Sequence, residues 1–154
     1  MEQPDIVIRP PTAQDADAWR TLWGGYCAFY EVSLPEAVTA RTWERICDPR
    51  SGVGAIVAEH ERLGVIGICN YVVHENTWEL QPVCYLEDLY VAPGERAAGV
   101  GRMLIDWLVE SMRTQGWSRL YWMTREDNYR ARALYDKFAP RDGFVRYVVK
   151  PAAA

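Results

Sequence analysis

Six consecutive residues, Arg96-Ala97-Ala98-Gly99-Val100-Gly101, place a cation beside two closely spaced glycines. A strand-like run, Val83 to Val91, leads into them, and a helix-like run, Val100 to Gln115, leads out. A strand, a glycine turn and a helix start together form a cradle for phosphate. Backbone N–H groups point out of the turn, and the helix dipole adds partial positive charge. Two familiar phosphate loops fail here. Gly94 and Gly99 have the spacing of the two P-loop glycines, but Val100-Gly101 stands where Lys-Ser/Thr is required. Gly99-Val100-Gly101 begins a dinucleotide fingerprint, but Leu104 occupies the third glycine position and no acidic residue follows on a second strand at about 20 residues.

A third pattern fits. Arg96-x-x-Gly99-x-Gly101 resembles the acyl-CoA pyrophosphate loop of the GNAT superfamily of N-acetyltransferases. Tyr85-Leu86-Glu87-Asp88-Leu89-Tyr90-Val91 resembles the fourth strand of its spermidine/spermine acetyltransferase-like and histone-acetyltransferase-like branches. Asn128-Tyr129-Arg130-Ala131-Arg132-Ala133-Leu134-Tyr135 is similar to the superfamily's N-x-x-A-x-x-L-Y helix. The three motifs stand in the right order at the right distances. The likeness is specific over residues 83–138 and diffuse over residues 5–82.

The resemblance implies acetyl-CoA as cosubstrate, no metal, and direct attack of an amine on the thioester in a ternary complex. No cysteine lies in the matched motifs to carry an acetyl group. Transfer needs a neutral amine, and a lysine-like nitrogen with a pKa of about 10.4 is mostly protonated at neutral pH. Glu87 matches the superfamily's catalytic glutamate, as base or as substrate-binding anion. Strand alternation sends Asp88 to the opposite face, as a structural carboxylate. Asn128 and Tyr135 are two helical turns apart and share a face. The resemblance gives Asn128 to the pantetheine and Tyr135 to the sulfur, where a phenol can protonate the leaving thiolate. Ala131 leaves room for the cofactor on the same face. Leu89, Tyr90 and Val91 offer backbone groups to the pantetheine, and the Leu89 N–H faces the thioester oxygen. Arg96, Ala97, Ala98, Gly99, Val100, Gly101 and Arg102 meet the pyrophosphate, with Ala97 tolerable only if its φ is negative. Lys137 reaches the 3′-phosphate or is an ordinary solvated lysine.

The acceptor is less explicit. Trp19, Trp23, Tyr26 and Tyr30 form one helical stripe, read either as packing on a sheet or, in its last turn to Glu31, as a pocket lining. Trp78, in the loop from His74, is a pocket wall or a subunit contact. Glu31, Glu36 and Glu87 suit a small cationic amine such as a polyamine or amino acid. A protein lysine, or a silent acyl-CoA-binding domain, is the alternative.

These residues need a frame. The pattern predicts a strand over Ile6 to Arg9, a helix capped at Thr12, and a second helix from Pro35-Glu36 to Cys47. Strands follow at Val53 to Glu59, Leu63 to Val73 and Val83 to Val91. A helix spans Val100 to Gln115, a strand Arg119 to Met123, a helix begins at Asp127 or Asn128, and a last strand runs from Gly143 to Val149. Gly64 and Gly67 predict a bend or bulge. The sum is an α/β (α+β) domain: a mixed, mostly antiparallel sheet with helices on both faces. The resemblance adds fourth and fifth strands that splay apart.

The 154 residues suit one domain, residues 1–154. Net charge is −4 with no basic block, which argues against nucleic acid. Cys27, Cys47, Cys69 and Cys84 have no zinc spacing and read as reduced thiols in a cytoplasm. Met1-Glu2-Gln3-Pro4 lacks a basic start and an apolar run, so no secretory signal is expected, and no apolar run is long enough for a membrane span. Relatives of this kind are often dimers, so a homodimer is expected.

Overall fold

A computed structural model describes residues 6–152, apart from the side chains of Ala97 and Ala98. Two compact units divide the chain, Met1–Met123 and Thr124–Ala154.

The first unit is built on a five-stranded sheet in the order β1-β2-β3-β4-β5. The strands are β1 (Ile6–Arg9), β2 (Val53–His60), β3 (Gly64–His74), β4 (Val83–Val91) and β5 (Leu120–Trp122). The first four pair antiparallel, and β5 joins β4 in parallel, so the sheet is mixed and mostly antiparallel as expected. Three helices cover it: α1 (Ala16–Phe29), α2 (Glu36–Cys47) and α3 (Val100–Gln115).

Alternation along β3 assigns the helices to faces. Ile68 packs with Val57 against Trp19, Leu22 and Trp23 of α1, with Trp43 and Ile46 of α2 beside them. Its neighbour Gly67 faces the other way, and a Cβ there would lie 3.1 Å from Val100 and 3.4 Å from Leu104 of α3. Residues adjacent in a strand point to opposite faces, so α1 and α2 cover one side and α3 the other. Val100, Leu104, Ile105 and Leu108 of α3 are buried.

Two bulges shape the sheet. Between β2 and β3 the register jumps from Ala58↔Gly67 to Glu59↔Val65, leaving Ile66 over. This is the irregularity predicted from Gly64 and Gly67. Between β3 and β4 it jumps from Asn70↔Asp88 to Tyr71↔Leu86, leaving Glu87 over.

At the sheet's far edge, Arg9 donates through Nε to Glu59 at 2.7 Å and through Nη1 to Asp15 at 2.8 Å. This cluster closes the turn from β1 into α1 and holds the Asp15 carboxyl down at about 2.

In the second unit, α4 (Tyr129–Tyr135) starts where Asn128 caps it, the Asn128 side chain accepting from the Ala131 N–H at 3.4 Å. The strand expected from Gly143 to Val149 does not form. Phe144, Val145, Tyr147, Val148 and Val149 are exposed and carry no strand pairing. A strand needs a ladder partner for its backbone groups, and α4 is the one regular element among this unit's described residues.

Candidate active site

The sheet opens along β4, the strand that carries one of the sequence motifs. β4 and β5 pair only at Cys84↔Leu120, Tyr85↔Tyr121 and Leu86↔Trp122. β4 then continues through residues 87–91 beyond that ladder. The expected splay is therefore present, and Leu89, Tyr90 and Val91 lie on the strand past the last β5 pair. The bulge at Glu87 sits at the point of parting. Bulges bend a strand and increase its local twist, which accounts for the divergence.

Alternation assigns Glu87 and Asp88 to opposite faces. Glu87 stands unpaired at the bulge, while Asp88 pairs with Asn70. Burial first, then the charge of Asp88 and last that of Glu87, push the Tyr26 phenol of α1 well above the usual range. Glu87 is exposed, and its charge also reaches Tyr121 of β5. Asp88 is largely enclosed. Burial raises its pKa, while hydrogen bonds from Tyr26 and Asn70 act against that rise.

Asn70 connects this pair to the core. It is buried, accepts from Trp19 Nε1 at 3.0 Å and donates to Asp88 Oδ2 at 3.1 Å. The aromatic stripe of α1 runs alongside as a stack. Centroids of Trp19 and Trp23 are 5.6 Å apart, of Trp23 and Tyr26 5.2 Å, and of Tyr26 and Tyr30 4.8 Å. The packing reading of the stripe holds for Trp19 and Trp23, which are core, with Tyr26 packed against them; Tyr26 also meets Asp88, and Tyr30 is exposed.

α1 ends beside this wall in an uncommon way. Val32 N–H bonds Cys27 O at 2.8 Å and Glu31 N–H bonds Ala28 O at 3.1 Å. This is a Schellman motif, whose left-handed position usually holds glycine. Glu31 occupies it at φ 55°. Gly25 permits the helix to approach β4, since a Cβ there would stand 2.6 Å from the Tyr90 hydroxyl. On the β5 side, Tyr121 stacks on Tyr85 at 4.9 Å and bonds His74 Nε2 through its hydroxyl at 2.8 Å.

The glycine turn is a 3-10 segment, Pro93–Ala98, that ends at Gly99 with φ 75° and opens α3. The 3-10 backbone has negative φ, so an alanine at 97 meets no backbone objection. The side chains of Ala97 and Ala98 lie outside the described residues. A Cβ added at Gly99 would meet nothing within 4 Å, so the space over the turn is open. Val100 is buried under α3, Gly101 is in its first turn, and Arg102 is exposed with Asp106 at 3.8 Å. Arg96 folds back over Tyr90 and Phe29, 5.3 Å and 5.6 Å from their ring centroids, and donates from Nε to Val91 O at 3.0 Å. It straps the turn to the end of β4.

In the second unit, Asn128 stands before the first helical residue and Tyr135 is the last, so the expected pair spans α4 from cap to end. Ala131 is half-buried and Lys137 exposed. Trp78 is 82% exposed, on a loop tied by Asn76, whose Oδ1 accepts from the N–H groups of Trp78 and Glu79.

Thiol chemistry has no support in the first unit. Burial pushes Cys84 up to about 12 and Cys69 well above the usual range, and Cys27 and Cys47 are raised too. A thiol is nucleophilic only as its thiolate. No group of three His, Cys, Asp or Glu among the described residues is arranged to hold a metal ion, and none of their helices is long and apolar enough to cross a membrane. A cavity of about 480 Å³ lies between Tyr71, Trp107 and Trp117, and its lining includes none of the candidate residues.

Residues 18–139 match the profile of the acetyltransferase (GNAT) family. The chain belongs to this family. A curated relative, the D-amino-acid N-acetyltransferase HPA3 of Saccharomyces cerevisiae, is 34% identical over 143 residues, covering 92% of this chain and 89% of that protein. Solved structures share the fold. The aminoglycoside acetyltransferase AAC(6')-Iy, in complex with the bisubstrate analog CoA-S-monomethyl-acetylneamine, is 18% identical with a TM-score of 0.82, covering 96% of this chain and 99% of that one. A ribosomal-protein-alanine N-acetyltransferase from Brucella melitensis is 19% identical with a TM-score of 0.75, covering 94% and 98%. The family membership makes the chain an N-acetyltransferase.

Sequence reading missed Asn70 and Tyr121. Asn70 had a signal: a lone amide inside the apolar run Leu63 to Val73, where a buried polar group needs partners. Tyr121 had none, because its contact with His74 spans 47 residues.

Proposed function

We propose that this enzyme transfers the acetyl group of acetyl-CoA to the primary amine of a small cationic molecule, with amino acids, D-amino acids among them, as the first candidates. The observation that carries the acceptor reading is the Glu87 bulge. It leaves Glu87 exposed where β4 parts from β5, next to Asp88, which accepts a hydrogen bond from Tyr26. The likeness to HPA3 over most of both chains supports an amino acid as acceptor. The single domain expected over residues 1–154 is part of this proposal, as is a homodimer.

The donor site follows from the turn. The backbone of Gly99 to Gly101 and the N-terminus of α3 hold the pyrophosphate, with Arg96 and Arg102 adding charge. The open space over Gly99 fits that role. Leu89, Tyr90 and Val91 bind the pantetheine through backbone groups, and the Leu89 N–H polarises the thioester carbonyl. Asn128, Ala131 and Lys137 retain the cofactor roles that their motif implies.

Tyr26, Tyr30, Glu31 and Trp78 line the acceptor site. Glu87 takes the proton of the incoming ammonium, directly or through water. The neutral nitrogen attacks the thioester carbon, a C–N bond forms and the C–S bond breaks. Tyr135 donates its phenolic proton to the departing sulfur, and the second proton of the acylated nitrogen leaves through water and restores the phenol. A panel of D- and L-amino acids, polyamines, an aminoglycoside and a lysine-containing peptide, followed by release of CoA thiol, tests this reading. Transfer to small amines is expected, and acetylation of the peptide alone would reject it.

A further inference from the structure

We infer that Trp19, Asn70 and Asp88 form a positioning relay that fixes Tyr26 in the acceptor wall, and that this relay governs how tightly the acceptor amine is held. The inference rests on the functional reading above and adds three residues to it.

The direction of every bond in the relay is determined. Trp19 Nε1 can only donate, so the group facing it on Asn70 at 3.0 Å is the amide oxygen. The Asn70 amide nitrogen is then turned to Asp88 Oδ2, at 3.1 Å. A carboxylate accepts, so the remaining partner of Asp88, the Tyr26 hydroxyl, is a donor. No alternative flip of the amide satisfies both Trp19 and Asp88.

The relay also closes on itself. Trp19 and Tyr26 are seven residues apart on α1, and the stacked ring of Trp23 joins them. Along the helix Tyr26 is held by ring stacking, and across the sheet by hydrogen bonds through β3 and β4. A phenol anchored at both its ring and its hydroxyl has little rotamer freedom left, which is what a binding wall requires to act before its ligand arrives.

Packing alone does not explain Asp88. An enclosed carboxylate costs stability unless it is paired, and an apolar residue of similar size would be cheaper. Burial raises the pKa of Asp88, and its hydrogen bonds from Tyr26 and Asn70, both neutral donors, act against that rise. Asp88 is in register with Asn70 beside the bulge at Glu87, so the relay borders the point where β4 parts from β5.

The test uses the full chain, acetyl-CoA and D-lysine, or the best acceptor of the panel. Tyr26→Phe and Asp88→Asn are each expected to raise the acceptor KM about tenfold and to leave the acetyl-CoA KM within about twofold. The double variant is expected to be no worse than either single one, because both cut the same chain. Melting temperatures of the two single variants are expected within a few degrees of wild type. An unchanged acceptor KM in folded Tyr26→Phe, or effects of the two substitutions that simply add, would overturn the relay. If Asp88→Asn does not fold, Tyr26→Phe alone decides, since it deletes one oxygen. A wild type that acetylates nothing in the panel overturns the functional reading, and the relay with it. Wild-type transfer with indifferent variants overturns the relay alone.

Discussion

The glycine turn and the acceptor wall are built by different kinds of interaction. The turn from Pro93 to Gly101 is local. Its 3-10 segment, the left-handed Gly99 and the start of α3 are consecutive in the chain, and one side chain, Arg96, straps them to β4. The wall is assembled from far apart. Tyr26 comes from α1 and Glu31 from the turn that ends it, Asn70 from β3, and Glu87 with Asp88 from β4. A local device can bind a feature common to many ligands, in the function proposed above a pyrophosphate. A wall of distant parts can change its ligand by changing any one of them. The relatives named above are named for different acceptors, and the proposed division between turn and wall accounts for such a difference.

Substitutions can break or sharpen the contrast. Tyr135→Phe, which removes the proton for the leaving sulfur, should lower kcat by about 10²-fold with acetyl-CoA binding retained. Isothermal titration beside turnover checks this, and unchanged turnover would remove Tyr135 from the chemistry. Glu87→Gln should lower kcat/KM for the acceptor by about tenfold near pH 6 and by less near pH 9, where more of the amine is already neutral. A loss independent of pH would leave Glu87 as a binding anion only.

Gly99→Val tests the donor side. A β-branched residue in the left-handed region costs about 1–2 kcal/mol, so the acetyl-CoA KM should rise several-fold while the acceptor KM holds. Equal rises in both would show that turn and wall are not separable. Asp15→Asn belongs to neither region and should leave both constants alone. Its effect is on stability. The folded carboxyl sits at about 2, below its ordinary value, so its contribution of about 2 kcal/mol is complete above pH 4 and is lost as pH falls toward 2. Wild type and variant should therefore melt apart at pH 7 and converge at pH 2 in calorimetry.

The same contrast explains what the sequence made legible. β4 and α3 were readable to the residue, because a β-rich run and a helix between Gly99 and Gly116 carry their own boundaries. The glycine turn was readable for the same reason. The partners of Asp88 were not, because its pairing with Asn70 depends on register with β3, and register is a long-range property. The segment Gly143 to Val149 shows the converse error. Its alternating apolar residues satisfy the local rule for a strand, but no partner among the described residues of its unit completes a ladder. α4 lay between these cases: the Asn128 cap was visible, and the shortness of the helix was not.

The central claim is direct transfer between two sites that are built separately but occupied together. Initial rates with acetyl-CoA and an amino-acid acceptor varied against each other test it most directly. Double-reciprocal lines that intersect are predicted, since both substrates must be bound before the sulfur departs. Parallel lines, the signature of a ping-pong mechanism through an acetylated enzyme, would contradict it.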